Sequence, residues 1–253
     1  MCAQYGVLND RDYPDHSEYL WHLTGRPKPL VGFGDPTRDN ALALKGRLHE
    51  PRSRLVSILT EDANPVIWGS FLHYMGQQYQ KQQSPRCVCF TECIPNSLLQ
   101  HSKRYSRWGL LFSKETLYRL NARPVWYVDA VLMNRFAECL YPYQRDYQKE
   151  LSFPNEYLHL LMPFAPRYGK YRFGGVNRPD TTLDWMVERE WRIRDDFVFE
   201  YDNIAALIVP TENDMIQFRE EFPRTAGIGF IVTEDLVGIE VEHKDFNCFI
   251  RSE

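Results

Sequence analysis

Apolar and polar positions along this chain recur with two periods, and together they predict a mixed α and β protein. Tyr19-Leu20-Trp21-His22-Leu23-Thr24 is a short aromatic and apolar run that predicts a first strand. Residues 25–40, rich in Gly and Pro, read as a long loop. Leu55, Ile58 and Leu59 recur at i, i+3 and i+4 behind Ser53, a candidate cap, and predict a helix. Residues 66–83 predict another helix, Gln-rich towards its end. Arg86 to Thr91 is β-compatible, and Ile94-Pro95 closes it because proline cannot continue a ladder. Leu98 to Tyr105 suits one or two helical turns. Trp108 to Phe112 predicts a strand, and Lys114 to Leu120 a short helix begun at Ser113.

Pro124 to Val131 is the most β-rich run in the chain. Residues 135–165 carry helical patches with many Tyr, and residues 166–182 read as loop. Glu188 to Ile193 and Ile204 to Val209 predict strands, the second buried. Thr211 caps a helix to Phe222, with Glu212 and Asp214 favourably placed in its first turn. Gly238 to Glu242 suits a closing strand. No internal repeat and no clear linker interrupts this order. The expectation is one α+β domain over residues 1–253, with a helical and loop insertion near 135–182.

Composition narrows the class. The net charge is −4, so bulk attraction to a polyanion is not expected, although a local basic patch could still bind one. Aromatics make up 14% of the 253 residues, which suits aromatic packing in a β-containing fold. No run reaches the ~18 apolar residues of a membrane helix, and the polar start lacks a signal-peptide core, so a cytoplasmic protein is expected. The 6 Cys are few for so long a chain without a secretion signal, which argues against a disulfide framework. Cys87, Cys89 and Cys93 form C-x-C-x3-C, which is not the usual metal-binding pair spacing. On a strand, Cys87 and Cys89 share one face and read as small packed side chains, and no metal is expected.

Few residues suggest chemistry. His22 lies in an aromatic strand, where a His ordinarily packs or meets solvent. As a functional group it would donate to a ribose or carbonyl. Thr91 ends a strand and is either a turn residue or a ligand contact. Glu188, Glu190 and Arg192 would share a strand face, and three charges do not sit easily in an apolar core. Either that face is a solvated edge, or Arg192 holds one carboxylate while the other does chemistry. A carboxylate can stabilise an oxocarbenium-like centre or accept a nucleophile's proton. No Walker A, G-x-G-x-x-G, H-E-x-x-H or G-x-S-x-G motif occurs, so P-loop hydrolysis, Rossmann dehydrogenation and zincin proteolysis lose support.

Five ordered blocks resemble the AbiGi family of abortive phage-infection proteins. Cys89-Phe90-Thr91-Glu92-Cys93-Ile94-Pro95 resembles its "CF-[ST/C]-[DE]-IP" block. His101 and Tyr105-Ser106-Arg107-Trp108-Gly109 follow as its His and Tyr-Gly-x-[FWY]-Gly element, with Ser106 in place of the usual Gly. Phe112-Ser113-Lys114-Glu115 resembles "GFSKEW", and Pro124-Val125-Trp126-Tyr127-Val128 resembles "NPVxYV", with Arg123 where Asn is common. Glu188-Arg189-Glu190-Trp191-Arg192 matches "EREWR" in full.

The resemblance implies phage defence of the abortive-infection type, an antitoxin role and a toxin–antitoxin partner. A more distant, fold-level likeness to DarT-type ADP-ribosyltransferases implies an ADP-ribosyltransferase-like mixed sheet and NAD as substrate. In that reading His22, with Thr24 and Arg192, serves the NAD side. Thr91 orients Glu190, Glu190 stabilises the charge that develops as nicotinamide leaves, and Glu188 supports it. The Arg167 to Arg172 stretch, with interleaved Tyr, would meet a nucleic-acid acceptor. The competing expectation is a non-catalytic antitoxin or sensor with the same fold.

Overall fold

The computed structural model describes residues 17–24, 50–60, 64–71, 86–92, 94–129, 159–164, 172–173, 176–177, 189–237 and 246–251. In chain order the elements begin with β1 (Tyr19–Leu23), α1 (Pro51–Thr60), β2 (Val66–Ile67), β3 (Ser70–Phe71) and β4 (Arg86–Thr91). Next come α2 (Pro95–Arg104), β5 (Gly109–Ser113), α3 (Lys114–Arg119), β6 (Arg123–Pro124), β7 (Trp126–Asp129) and β8 (Leu161–Phe164). The remainder are β9 (Arg172–Phe173), β10 (Val176–Asn177), β11 (Glu190–Arg194), β12 (Phe197–Val198), β13 (Ile204–Val209), α4 (Glu212–Glu221) and β14 (Gly229–Val232). The expected α+β class, with a mixed sheet and few helices, is what the chain adopts.

The chain divides into two units: Met1–Val66, Glu92–Leu117 and Phe199–Glu253 form the first, and Ile67–Thr91 and Tyr118–Val198 the second. The first holds the strand order β14-β13-β5-β1. Its β1/β5 and β5/β13 pairs are antiparallel and β13/β14 is parallel. All four residues of β14 and five of the six of β13 are buried, as expected for strands covered on both faces. The core gathers Trp21, Leu98, Leu111, Ala206, Ile208, Ile231 and Leu236. Gly109 is required by close approach, since a Cβ there would lie 2.5 Å from the His22 carbonyl oxygen.

Helix α1 buries Leu55, Ile58 and Leu59, the set its periodicity predicted. Ser53 is not its cap. Pro51 opens the helix, and the Glu50 carboxylate accepts from the N–H groups of Arg52 and Ser53 at 3.2 and 2.8 Å. Thr211 does cap α4, accepting from the Asp214 N–H at 3.1 Å. Ser113 likewise starts α3 by accepting from the Thr116 N–H at 3.1 Å.

In the second unit β4 pairs antiparallel with β11, and β11 with β6. On β4's other side β3 pairs antiparallel, so the start of the 66–83 segment is strand rather than helix. Residues 72–85 lie outside the described residues. The Pro124–Val131 run divides into β6 and β7 because the Val125 N–H turns to the Glu190 carbonyl, 2.8 Å away. Residues 161–164, at the end of the stretch expected to carry helical patches, form β8, which runs parallel to β7. Within the expected loop, β9 and β10 pair antiparallel. The rest of the 135–182 insertion and the Gly238–Glu242 strand lie outside the described residues, apart from His159 and Leu160. Strand β14 was not foreseen.

Candidate functional site

Strand β11 opens at Glu190, and almost every polar group of that residue is engaged. Its N–H donates to the Tyr127 hydroxyl at 2.8 Å, and its carbonyl accepts from the Val125 N–H at 2.8 Å. Residue i+2 on a strand faces the same way, so Arg192 stands beside it. The guanidinium meets the carboxylate with two bonds, Nε to Oε1 at 3.0 Å and Nη2 to Oε2 at 2.8 Å. Its Nη1 donates to the His159 carbonyl at 2.7 Å. The planar fork of arginine matches a carboxylate in this bidentate way, which a lysine could not reproduce.

Both residues are buried, Glu190 at 7% exposure and Arg192 at 1%. The expectation of a solvated charged face is therefore overturned. Charge on an inward face is tolerated because each partner supplies the other's hydrogen bonds. The residue before the pair, Arg189, adopts φ 40°, a left-handed conformation that costs a non-glycine residue energy. Across β4, Thr91 is the register partner of Glu190 and Cys89 that of Arg192.

The Cys87 and Cys89 sulfurs lie 3.8 Å apart on one face of β4, as the strand period requires. Hydrogen bonding to Cys87, burial and the nearby Glu190 charge push the Cys89 thiol well above its usual range. Such a thiol is a poor nucleophile. Among the described residues no group of three or more His, Cys, Asp or Glu side chains is placed to hold a metal. Cys93 lies outside the described residues.

The second unit thus brings together three of the candidate residues, Thr91, Glu190 and Arg192. His22 and Thr24 belong to the first unit. His22 sits half-buried in β1 opposite Leu110. Thr24 is buried, and its hydroxyl lies 2.8 Å from the Pro51 carbonyl and 3.1 Å from that of Trp108, the geometry of a loop tie. Glu188 and the side chains from Arg167 to Arg172 lie outside the described residues.

Two partnerships were missed by reading the chain. Tyr127 and Val125 hold the backbone of Glu190, and both lie in the "NPVxYV"-like block, so the order of blocks held the clue. In the first unit, the Glu92 carboxylate takes the Lys114 ammonium at 2.8 Å, with both side chains largely buried. That pair joins the first and third blocks.

An α+β protein with the ordered sequence blocks and, in its second unit, a buried Glu–Arg pair is the class these observations define. Residues 70–220, more than half of the chain, match the family model described as "Putative abortive phage resistance protein AbiGi, antitoxin". The chain belongs to the AbiGi family of abortive phage resistance proteins. No curated protein and no solved structure matches it. Among the described residues no helix is long and apolar enough to cross a membrane.

Proposed function

We propose that the chain acts in phage defence as an antitoxin, a binding protein that restrains a toxin partner. The observation that carries this reading is the state of Glu190. Both of its carboxylate oxygens are taken by Arg192, which is itself tied to the His159 carbonyl. A carboxylate so neutralised serves poorly as a general base or as a counter-charge to a developing cation. It serves well as a pin that fixes β11. The family's description as antitoxin supports the same reading. Removing the chain from a host that keeps the rest of its locus should arrest growth, and supplying it in trans should restore growth. Healthy growth without the chain, coupled to lost phage protection, overturns the role.

A second reading is transfer of ADP-ribose from NAD to a macromolecule. What favours it is the register, which sets Thr91 directly opposite Glu190, where a hydroxyl would orient the carboxylate. Glu190 would then steady the charge left as nicotinamide departs, and Glu188 would serve the acceptor. Purified chain incubated with labelled NAD and cell extract should label protein, RNA or DNA. Glu190→Gln should cut that labelling by about two to three decades. The absence of label in all three fractions ends this reading.

A further inference from the structure

In the second unit the end of β2 runs beside the Asp195–Val198 stretch. The Gly69 N–H donates to the Asp196 carboxylate at 2.8 Å, a Cβ on Gly69 would collide with the Asp195 carbonyl oxygen, and β2 pairs with β12. Side chains alternate across such a ribbon. Ile67 and Phe197, each 3% exposed, take the inner face, and Phe197 packs edge-on against Phe90 of β4 with ring centroids 5.6 Å apart. Trp68 and Val198 take the outer face, where they are 60% and 55% exposed.

Single exposed apolar residues are ordinary on a folded protein. These two stand in unbroken apolar runs, Val66-Ile67-Trp68 and Phe197-Val198-Phe199. A strand with one face in water alternates apolar and polar positions, whereas an unbroken run is the pattern of a strand covered on both faces. Here the inner side is covered within the chain, and the outer side is left mostly to solvent. Trp is also among the residues that most often anchor a protein contact, since its large flat surface loses little freedom on burial.

The charged groups beside this face come in matched pairs. Arg86 bonds Asp196, and Arg194 Nε lies 3.5 Å from the Asp195 carboxylate. These charges cancel, so the patch is neutral on a chain whose net charge is −4. In a twofold contact a patch meets its own copy, and any net charge on it would repel itself. A strongly acidic or basic partner gains nothing from a neutral patch, whereas a second copy loses nothing. We infer that two copies of this chain pair through the outer face of the β2/β12 ribbon, with Trp68 and Val198 of each packed against those of the other. The contact stands apart from the antitoxin role, since it fixes an assembly and not what that assembly restrains.

Sedimentation velocity of the full chain, taken from about 1 to about 100 μM, should move the mass from 30.0 kDa towards twice that. Val198→Asp sets two carboxylates against each other across the twofold axis, and Trp68→Gln removes the anchor. Each should raise the dissociation constant at least about tenfold, with the thermal midpoint kept because both side chains are exposed. Raising NaCl should not weaken the pairing, because no net charge draws the copies together. A chain that keeps the monomer mass at about 100 μM overturns the inference. So does pairing that either folded variant leaves unchanged, or pairing that salt dissolves. Loss of the fold in both variants overturns it too, because the two side chains would then belong to the core of the unit.

Discussion

Arg192 grips both carboxylate oxygens of Glu190, two residues away on the same face of β11, at 3.0 and 2.8 Å. Removing one partner leaves the other charged, buried and poorly paired. Arg192→Leu should lower stability by about 3–5 kcal/mol. Glu190→Gln keeps an acceptor for the guanidinium and should cost less. Joint replacement by Glu190→Leu and Arg192→Met should recover most of the loss. Chemical unfolding of the four proteins decides this. A double variant as unstable as Arg192→Leu alone would show that the pair contributes more than mutual neutralisation.

Gly69 is held beside the turn at Asp195. A Cβ at position 69 would collide with the Asp195 carbonyl oxygen and lie 2.8 Å from its carbon. The neighbouring N–H of Gly69 donates to Asp196 at 2.8 Å, and Arg86 pairs with the same carboxylate. Gly69→Ala must shift backbone against backbone and should cost about 1–3 kcal/mol. An unchanged thermal midpoint would show that the turn yields freely.

Glu50 gives α1 a pH dependence. Partial burial pushes its carboxyl up, but hydrogen bonds from Ser53 and Arg52, with the Arg52 charge, outweigh that and hold it below its ordinary 4.5. A depressed folded value means that the contribution is present above the unfolded value and is lost as pH falls through the folded one. Titration from pH 6 to about 3 should loosen the start of α1, and Glu50→Gln should flatten that response. Hydrogen exchange at the Arg52 and Ser53 amides reads it. Equal pH sensitivity in both proteins would assign the effect elsewhere.

The described cysteines should react in a defined order. Cys248 is exposed, whereas Cys87 is buried and the Cys89 thiol is pushed up by its bond to Cys87, by burial and by Glu190. Alkylation near pH 7.5 followed by peptide mass analysis should modify Cys248 first and Cys89 at least about tenfold more slowly. Rapid labelling of Cys89 would mean that this strand opens readily in solution.

The elements legible in the sequence are those with local causes. Leu55, Ile58 and Leu59 marked the buried face of α1 because a 3.6-residue period admits few other arrangements. Thr211 announced α4 because capping is settled within four residues. The same-face placement of Glu190 and Arg192 also followed, since a strand repeats every two residues.

Tertiary structure decided what covers that face. The Arg192 partner at His159 lies 33 residues away, and no local pattern can tell a solvated row of charges from a buried, mutually satisfied pair. Distant bonding likewise broke the 124–131 run at Val125, whose N–H turns to Glu190. Strand β14 escaped notice because four apolar residues carry no period long enough to read. Its place is set by pairing with β13 and by the segment that reaches it through Arg251. Periods and caps are properties of neighbouring residues, whereas burial and pairing belong to whatever the rest of the chain brings alongside.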